Sequence, residues 1–421
     1  MHRVSPTRIL LRAPKDPFRV ASAEETLTHD LIGTNSGNLL FSTAAARLLS
    51  VRDALVLPER FNVTPDEADA INERYDHFVV PLANAFRPDF LPHLERLSAT
   101  VERLRIPVTI MGVGAQAPGE GDRASLRPLD AAVSRLCRAV LDRSASIGVR
   151  GEFTAQYLHD LGFSDVEVIG CPSILLRDEP VEIRREQATL APDARLAVNL
   201  TPEVNGIRDF AAHHARDFRN SRYIAQDWRD LRLMLRTDHE RRGSRTRLAQ
   251  RIGDPYFTPS RARLYLDPAT WINELTAFDF AVGTRIHGNI AAVLAGRPAF
   301  VLAHDSRTLE LARALDLPHQ AVRDVATLRA EELYAHADYH AFNAGRARRI
   351  ARMTSFLARN GLHHIYEPGE SGASFDARMA TLHLPPAVRP HSSLTTRLAS
   401  LRSWLGGQTR QSGEGDPLTL R

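Results

Sequence analysis

Short apolar or β-branched runs alternate along this chain with longer helical patterns, and no other feature constrains the fold as much. Such alternation predicts an α/β architecture with mostly parallel sheets. In the first half, "HFVVPLANAF" (77–86), "PVTIMGVGAQ" (107–116) and "VEVIGCPSILL" (166–176) read as strands running into loops. "SIGVRGEFTAQYLHDLG" (146–162) reads as strand, turn and helix. "NSGNLLFSTAAARLLS" (35–50) reads as a turn feeding an amphipathic helix, with Leu39, Leu40, Ala44 and Leu48 on one side. The pattern restarts near residue 190 with "ARLAVNLTPE" (194–203), followed by an Arg-rich, weakly patterned region (207–250). "ARLYLDP", the helix "PATWINELTAFD" and a long closing helix over 342–362 complete it. At 421 residues the chain exceeds one ordinary core. The predicted organisation is a Rossmann-like domain over 1–190, a second over 191–365, and a largely flexible tail over 366–421 with one short helix at 395–406. Two such domains side by side leave a cleft between their sheet edges.

Composition narrows the function classes. Apolar content of 43% and charged content of 25% are those of a soluble globular protein. The formal charge is +4, Lys15 is the only lysine, and the arginines are interspersed with acids rather than gathered into a stripe. That pattern argues against a nucleic-acid partner. Cys137 and Cys171 have neither metal-ligand nor disulfide spacing and read as packing residues. The N-terminal segment lacks the apolar core of a signal peptide, and no run reaches the length of a membrane span. The expectation is a cytoplasmic protein with neither metal nor cofactor. Peripheral membrane contact stays open, and the sequence carries no signal for oligomeric state.

In open α/β sheets ligands bind beyond the carboxyl ends of the strands. Several charged residues stand there. "FDFAVGTRIHGNIAAVLAGRPAFVLAHDSRT" (278–308) is a buried strand, a turn, an Ala-rich helix starting near Gly288–Asn289, and a second strand. Free N–H groups at that helix start suit an anion. Arg285 adds a planar donor fork for carboxylate or phosphate. His287 adds a group able to hold or release a proton near neutral pH. The second strand ends in His304, Asp305, Ser306 and Arg307, at the same edge. Arg150 stands at another strand end, before Gly151. A helix cap and surface ion pairs would account for the same residues structurally. "MGVGAQA" (111–117) matches G-x-G-x-x-A after a strand, but Pro118 and Gly119 follow where a dinucleotide fingerprint needs its helix. Gly114 then belongs to a loop whose backbone can approach a ligand. "TNSGN" (34–38) is a similar loop, with Asn35 and Asn38 available to phosphate or sugar.

Taken in order, these segments resemble the polysaccharide pyruvyl transferase family, over about residues 30 to 360. The most specific element is the R-x-H-G turn with its small-residue helix and a following strand ending in Asp-x-[KR]. The resemblance implies two Rossmann-type domains in a GT-B-like arrangement. It implies transfer of the enolpyruvyl-derived unit of phosphoenolpyruvate to a saccharide acceptor, giving a pyruvate ketal. By position His287 would be the general acid. Arg150 and Arg285 would hold the donor's carboxylate and phosphate, aided by Gly288 and Asn289 N–H groups. Arg307 stands where the family often has lysine. Asn38 and Gly151 stand where many relatives carry acids, so the group that deprotonates the sugar hydroxyl must lie elsewhere, with Asp305 and His304 as candidates. The competing readings are a nucleotide-sugar glycosyltransferase on the same frame, and a saccharide-binding relative without turnover.

Overall fold

The computed structural model describes residues 6–59, 61–119, 122–178, 182–235 and 255–390. The first sheet is parallel, with β1 (Thr7–Arg12), β2 (Ala54–Glu59), β3 (His77–Pro81) and β4 (Val108–Met111) in the order β2-β1-β3-β4. A parallel bridge from Val113 to Val149 continues it into β5 (Ile147–Val149), which pairs with β6 (Val166–Val168). The second sheet holds β7 (Leu196–Asn199), β8 (Arg222–Ala225), β9 (Ala262–Leu264), β10 (Phe280–Gly283), β11 (Ala299–Ala303) and β12 (His319–Ala321). Its order is β12-β11-β10-β7-β8-β9, all parallel.

Numbered within itself, the second sheet has the 3-2-1-4-5-6 order of dinucleotide-binding folds, and the first has the 2-1-3-4 start of flavodoxin-like sheets. The molecule is thus two Rossmann-like domains in a GT-B-like arrangement. Each sheet has a switch point where strand order reverses and a crevice opens at the carboxyl edge. In the second sheet it lies between β7 and β10, ending at Asn199 and Gly283. In the first it lies between β1 and β3, ending at Arg12 and Pro81.

The central strands are apolar throughout because helices cover both faces. β10 and β11 are buried at every position. The Gly37–Leu49 helix was expected to be amphipathic, yet every residue but Asn38 is buried. Its outward side is covered by the second domain, as the contact between its N-terminal Gly37 and His287 shows. Buried Arg47, on the same helix, is held by Asp178 (2.9 Å) and Asp376 (2.8 Å). Lys15, also buried, donates to the Leu266 carbonyl (2.9 Å) and ties the end of β1 to the second domain.

Several expectations need correction. The weakly patterned region from 207 holds regular elements as far as it is described: it forms a helix (Ile207–Asp217), β8 and another helix (Trp228–Leu235), and 236–254 lies outside the described residues. The closing helix is two, His340–Ala344 and Arg346–Arg359, parted at Gly345. The second of these returns to the first domain, where Asn360 accepts from Ser146 N (3.2 Å) and Arg359 pairs with Asp165 (2.8 Å). Within the stretch assigned to the tail, Ala373–Ala380 is a helix and Val388 pairs with Leu264. The helix expected at 395–406 falls outside the described residues. Among the described residues no helix is long and apolar enough to cross a membrane.

Candidate active site

The turn after β10 is built by contact with β7. Gly283 has φ +147°, and a Cβ there would lie 1.9 Å from the Asn199 carbonyl oxygen. Thr284 N donates to that oxygen (2.7 Å), while Thr284 Oγ1 accepts from Thr201 N (2.7 Å). Gly283→Ala combines backbone strain with overpacking and is expected to cost about 3 kcal/mol or more, read as a lower melting temperature.

Arg285 caps the Ile286–Leu294 helix, so the helix starts earlier than the sequence suggested. Gly288 N is engaged by the Arg285 carbonyl (3.1 Å), and Asn289 lies beyond the first turn, past the free N–H groups. The Asn289 amide points back to the carbonyls of Gly283 (3.1 Å) and Arg285 (3.3 Å). Neither residue presents the free N–H expected for an anion. Gly288 instead permits close approach of Asn199, whose Oδ1 sits 1.9 Å from where a Cβ would be.

The interdomain seam brings four of the expected side chains together. His287 is pushed down to about pKa 3 by burial, then by the guanidiniums of Arg150, Arg307 and Arg285, so without a ligand the imidazole is neutral. Its Nε2 lies 3.8 Å from Cys171 Sγ, and Gly37 lies against Nδ1, where a Cβ would come within 2.6 Å. Gly37→Ala should therefore displace the imidazole and lower turnover by up to about a hundredfold, with the fold retained by circular dichroism. Arg150 is 2% exposed, and no described residue accepts from its Nε or Nη2. Burial lowers its pKa, and the titratable groups around it are Cys171, Arg307, Glu310 and Asp305. An unpaired buried guanidinium is costly in a folded chain. Gly114 makes room for it, since a Cβ there would meet Arg150 Cδ at 3.2 Å.

Around this centre the remaining groups are already engaged. Arg285 pairs with Asp227, which also accepts from Asn35 Nδ2 (2.9 Å). Asn35 thus joins the site through the opposite domain. Asn38 does not: its amide donates to the Gly33 carbonyl (2.7 Å) and shapes the loop. Asp305 caps the Ser306–Ala314 helix, accepting from Thr308 N (2.9 Å) and Arg307 Nε (2.7 Å). Burial alone would raise its pKa, but the neighbouring Arg307 charge and the hydrogen bonds from Arg307 and Thr308 together outweigh it and bring the pKa to about 2. His304 lies 3.6 Å from Asp305, and its own pKa is lowered by burial. The cap locks that helix to the other domain, where Ser306 Oγ accepts from Ala117 N (2.9 Å).

Four contributors escaped the sequence reading. Asp227 follows β8, in the stretch read as weakly patterned. Cys171, read as packing, lies between Ser173 (3.1 Å) and His287. Its thiol is held neutral by burial, against the pull of Arg150. Glu310 fills the space beside Gly151, where a Cβ would meet its Cβ at 2.6 Å, and accepts from Thr154 N (2.9 Å). Gly37 is the fourth.

A family model described as polysaccharide pyruvyl transferase matches residues 35–306, more than half of the chain. The chain belongs to the polysaccharide pyruvyl transferase family. In this member the span includes Asn35, Arg150, Asp227, Arg285, His287 and Asp305, and stops one residue short of Arg307. No curated protein matches the chain in sequence. Similar solved structures include a putative UDP-N-acetylglucosamine 2-epimerase from Listeria monocytogenes (11% identity, 91% of this chain and 99% of that one, TM-score 0.39). MnaA of S. aureus with UDP is another (12%, 84% and 98%, 0.43), as is the glycosyltransferase SnogD of Streptomyces nogalater (13%, 90% and 99%, 0.33). The fold of this pyruvyl transferase family member rests on its own strand order.

Acid stability follows from His77, His214 and the half-buried His287. His77 and His214 are pushed down to about 4 by burial, as His287 is to about 3, against 6.5 for an exposed ring. Below pH 6.5 the unfolded chain binds protons that the folded one refuses, so stability declines as pH falls from about 6.5 toward 4. Melting temperatures over that range check it, with His77→Gln, which removes one of the three titrations, flattening the decline.

Proposed function

We propose that the protein transfers the pyruvyl unit of phosphoenolpyruvate to a saccharide of the cell envelope or an exopolysaccharide, or to its precursor, as a cyclic ketal. The observation that carries this reading is Arg150, whose Nε and Nη2 are buried without a partner beside a neutral His287. A small polyanion would pair them. Phosphoenolpyruvate carries a carboxylate and a phosphate on one three-carbon frame, which suits Arg150, Arg285 and Arg307 converging from two domains.

In this reading donor charge among three guanidiniums raises the proton affinity of His287, which takes up a proton as the donor binds. His287 then delivers it to the methylene carbon, and the double-bond electrons leave C2 cationic. A sugar hydroxyl attacks C2 and gives up its proton. Departure of phosphate with the C–O electron pair regenerates the cation, and a second hydroxyl attacks it and gives its proton to the departing phosphate or the now neutral His287, closing the ketal. Of the carboxylates beside the cluster, Asp227 is the most open, its side chain 22% exposed against 5% for the Asp305 side chain; Glu310 is buried. Asp227 is thus the best placed to accept the hydroxyl proton, ahead of Asp305 and His304. Phosphoenolpyruvate is a cytoplasmic metabolite, so the reaction belongs there, with peripheral membrane contact if the acceptor is lipid-bound.

Incubation with phosphoenolpyruvate and a panel of lipid-linked and nucleotide-linked sugars tests this, by released phosphate and the ketal methyl signal in NMR. Stabilisation in a thermal-shift titration by phosphoenolpyruvate is the expected companion result, whether or not a nucleoside diphosphate also stabilises. UDP or GDP stabilising without phosphoenolpyruvate is the outcome that counts against it and would favour the glycosyltransferase reading.

A further inference from the structure

The first sheet has a switch point of its own, between the ends of β1 and β3, and the cluster just described uses none of its side chains except Arg307. Arg12, at the end of β1, is 9% exposed, donates to the Pro81 carbonyl (3.1 Å) and lies with its guanidinium 4.0 Å from the Phe61 ring centroid. Arg87 follows β3, with its guanidinium 5.7 Å from the Phe90 ring centroid; its Nε is buried and no described residue accepts from it. With its oxygen turned toward them, the Asn84 amide accepts from Arg87 Nη1 (2.6 Å) and from Arg307 Nη1 (3.0 Å). Two guanidiniums therefore converge on one neutral oxygen. Among the described residues no carboxylate lies within ion-pair distance of Arg12 or Arg87, while Arg307 is balanced by Asp305. Arg87 and Arg307 are close enough to repel, Asp89 offsets Arg87 only from beyond ion-pair distance, and Arg12, Arg87 and Arg96 all act on His93. Like charges gathered at a sheet's ligand-binding crevice, with only an amide between them, describe a site whose counter-charge arrives with a ligand.

We propose that the β1/β3 crevice is a second anion subsite, which binds a phosphate or diphosphate group joining the acceptor sugar to its carrier. The inference rests on the pyruvyl-transfer reading for the role of that group, and Arg307 marks the border between donor and acceptor sides. A diphosphate held here places the attached sugar toward the interdomain seam, and the faces of Phe61 and Phe90 supply apolar surface beside the charge. The acceptor class that fits is a saccharide activated as a diphosphate ester, on either a lipid or a nucleoside.

The probe is inorganic pyrophosphate, titrated calorimetrically into the full chain with phosphoenolpyruvate saturating. Pyrophosphate is expected to bind the wild type. Asn84→Asp, which sets a carboxylate between the two guanidiniums with almost no change of shape, weakens pyrophosphate by about tenfold or more, weakens phosphoenolpyruvate less because it reaches the donor only through Arg307, and does not lower the melting temperature. Arg87→Gln, at a partly exposed position, gives the same loss and serves should Asn84→Asp misfold. Arg150→Met shows the reverse, losing phosphoenolpyruvate and keeping pyrophosphate. Geranyl diphosphate and UDP then separate the carriers: displacement of pyrophosphate by either supports the subsite, and displacement by neither overturns it. Pyrophosphate affinity unchanged in both variants, or phosphoenolpyruvate lost equally with it, also overturns it. A wild type that binds pyrophosphate through Asn84 and Arg87 but never phosphoenolpyruvate keeps this subsite and sinks the pyruvyl reading alone.

Discussion

His287→Ala is expected to lower turnover by about a hundredfold to ten-thousandfold, the usual worth of a positioned acid, and to leave phosphoenolpyruvate bound. The imidazole sits under three guanidiniums, so in the free protein it is neutral. Removing it forfeits only the part of donor affinity that is linked to proton uptake, and it relieves crowding near Arg150. On the proposed reading the donor's negative charge reverses the sign of that field in the wild type, and the ring gains a proton on binding. Calorimetry in buffers of different ionisation enthalpy should therefore show proton uptake near neutral pH that His287→Ala lacks. Donor affinity in the wild type should fall as pH rises, because the protonated ring belongs to the bound state. Equal loss of donor binding and turnover in the variant would make His287 an anchor rather than an acid.

Arg150→Met separates binding from stability in opposite directions. Arg150 is buried, and two of its nitrogens find no acceptor. A thioether of similar length removes an uncompensated charge, and such exchanges are neutral to stabilising by about 1–4 kcal/mol. The same exchange deletes the donor's best-buried counter-charge and should weaken phosphoenolpyruvate by about 2–4 kcal/mol. A higher melting temperature with lost donor affinity marks a residue kept for function at the expense of the fold. A lower melting temperature with donor affinity unchanged would assign Arg150 to the fold instead. Arg285 behaves otherwise, because it is already paired: Arg285→Ala strands Asp227 and is expected to cost both properties.

What the sequence disclosed was governed by range. The strand, turn and helix around Arg285 and His287 were legible because a fully buried strand leaves an unbroken apolar run, and charges at its end stand out. The same held for Arg150 after β5. β8, only four residues long and opening on Arg222, left too little pattern to see, and Asp227 was hidden with it. The Gly37–Leu49 helix misled because spacing reports one packed face, and a second domain closing over the other leaves no periodic mark. Glu310 beside Gly151, and Cys171 beside His287, are contacts between distant segments, which no local pattern encodes. Asn38 was drawn in as an amide in a loop that opens a helix, and that short amide closes on the Gly33 carbonyl instead. Both switch points follow from strand order, and strand order depends on pairings that a linear reading cannot supply.

Diffraction from crystals soaked in phosphoenolpyruvate addresses the whole account at once. The predicted result is density for one donor molecule at the seam, its oxygens on Arg150 Nε and Nη2 and its methylene carbon toward His287. Donor density elsewhere, with those two nitrogens still without an acceptor, would contradict it.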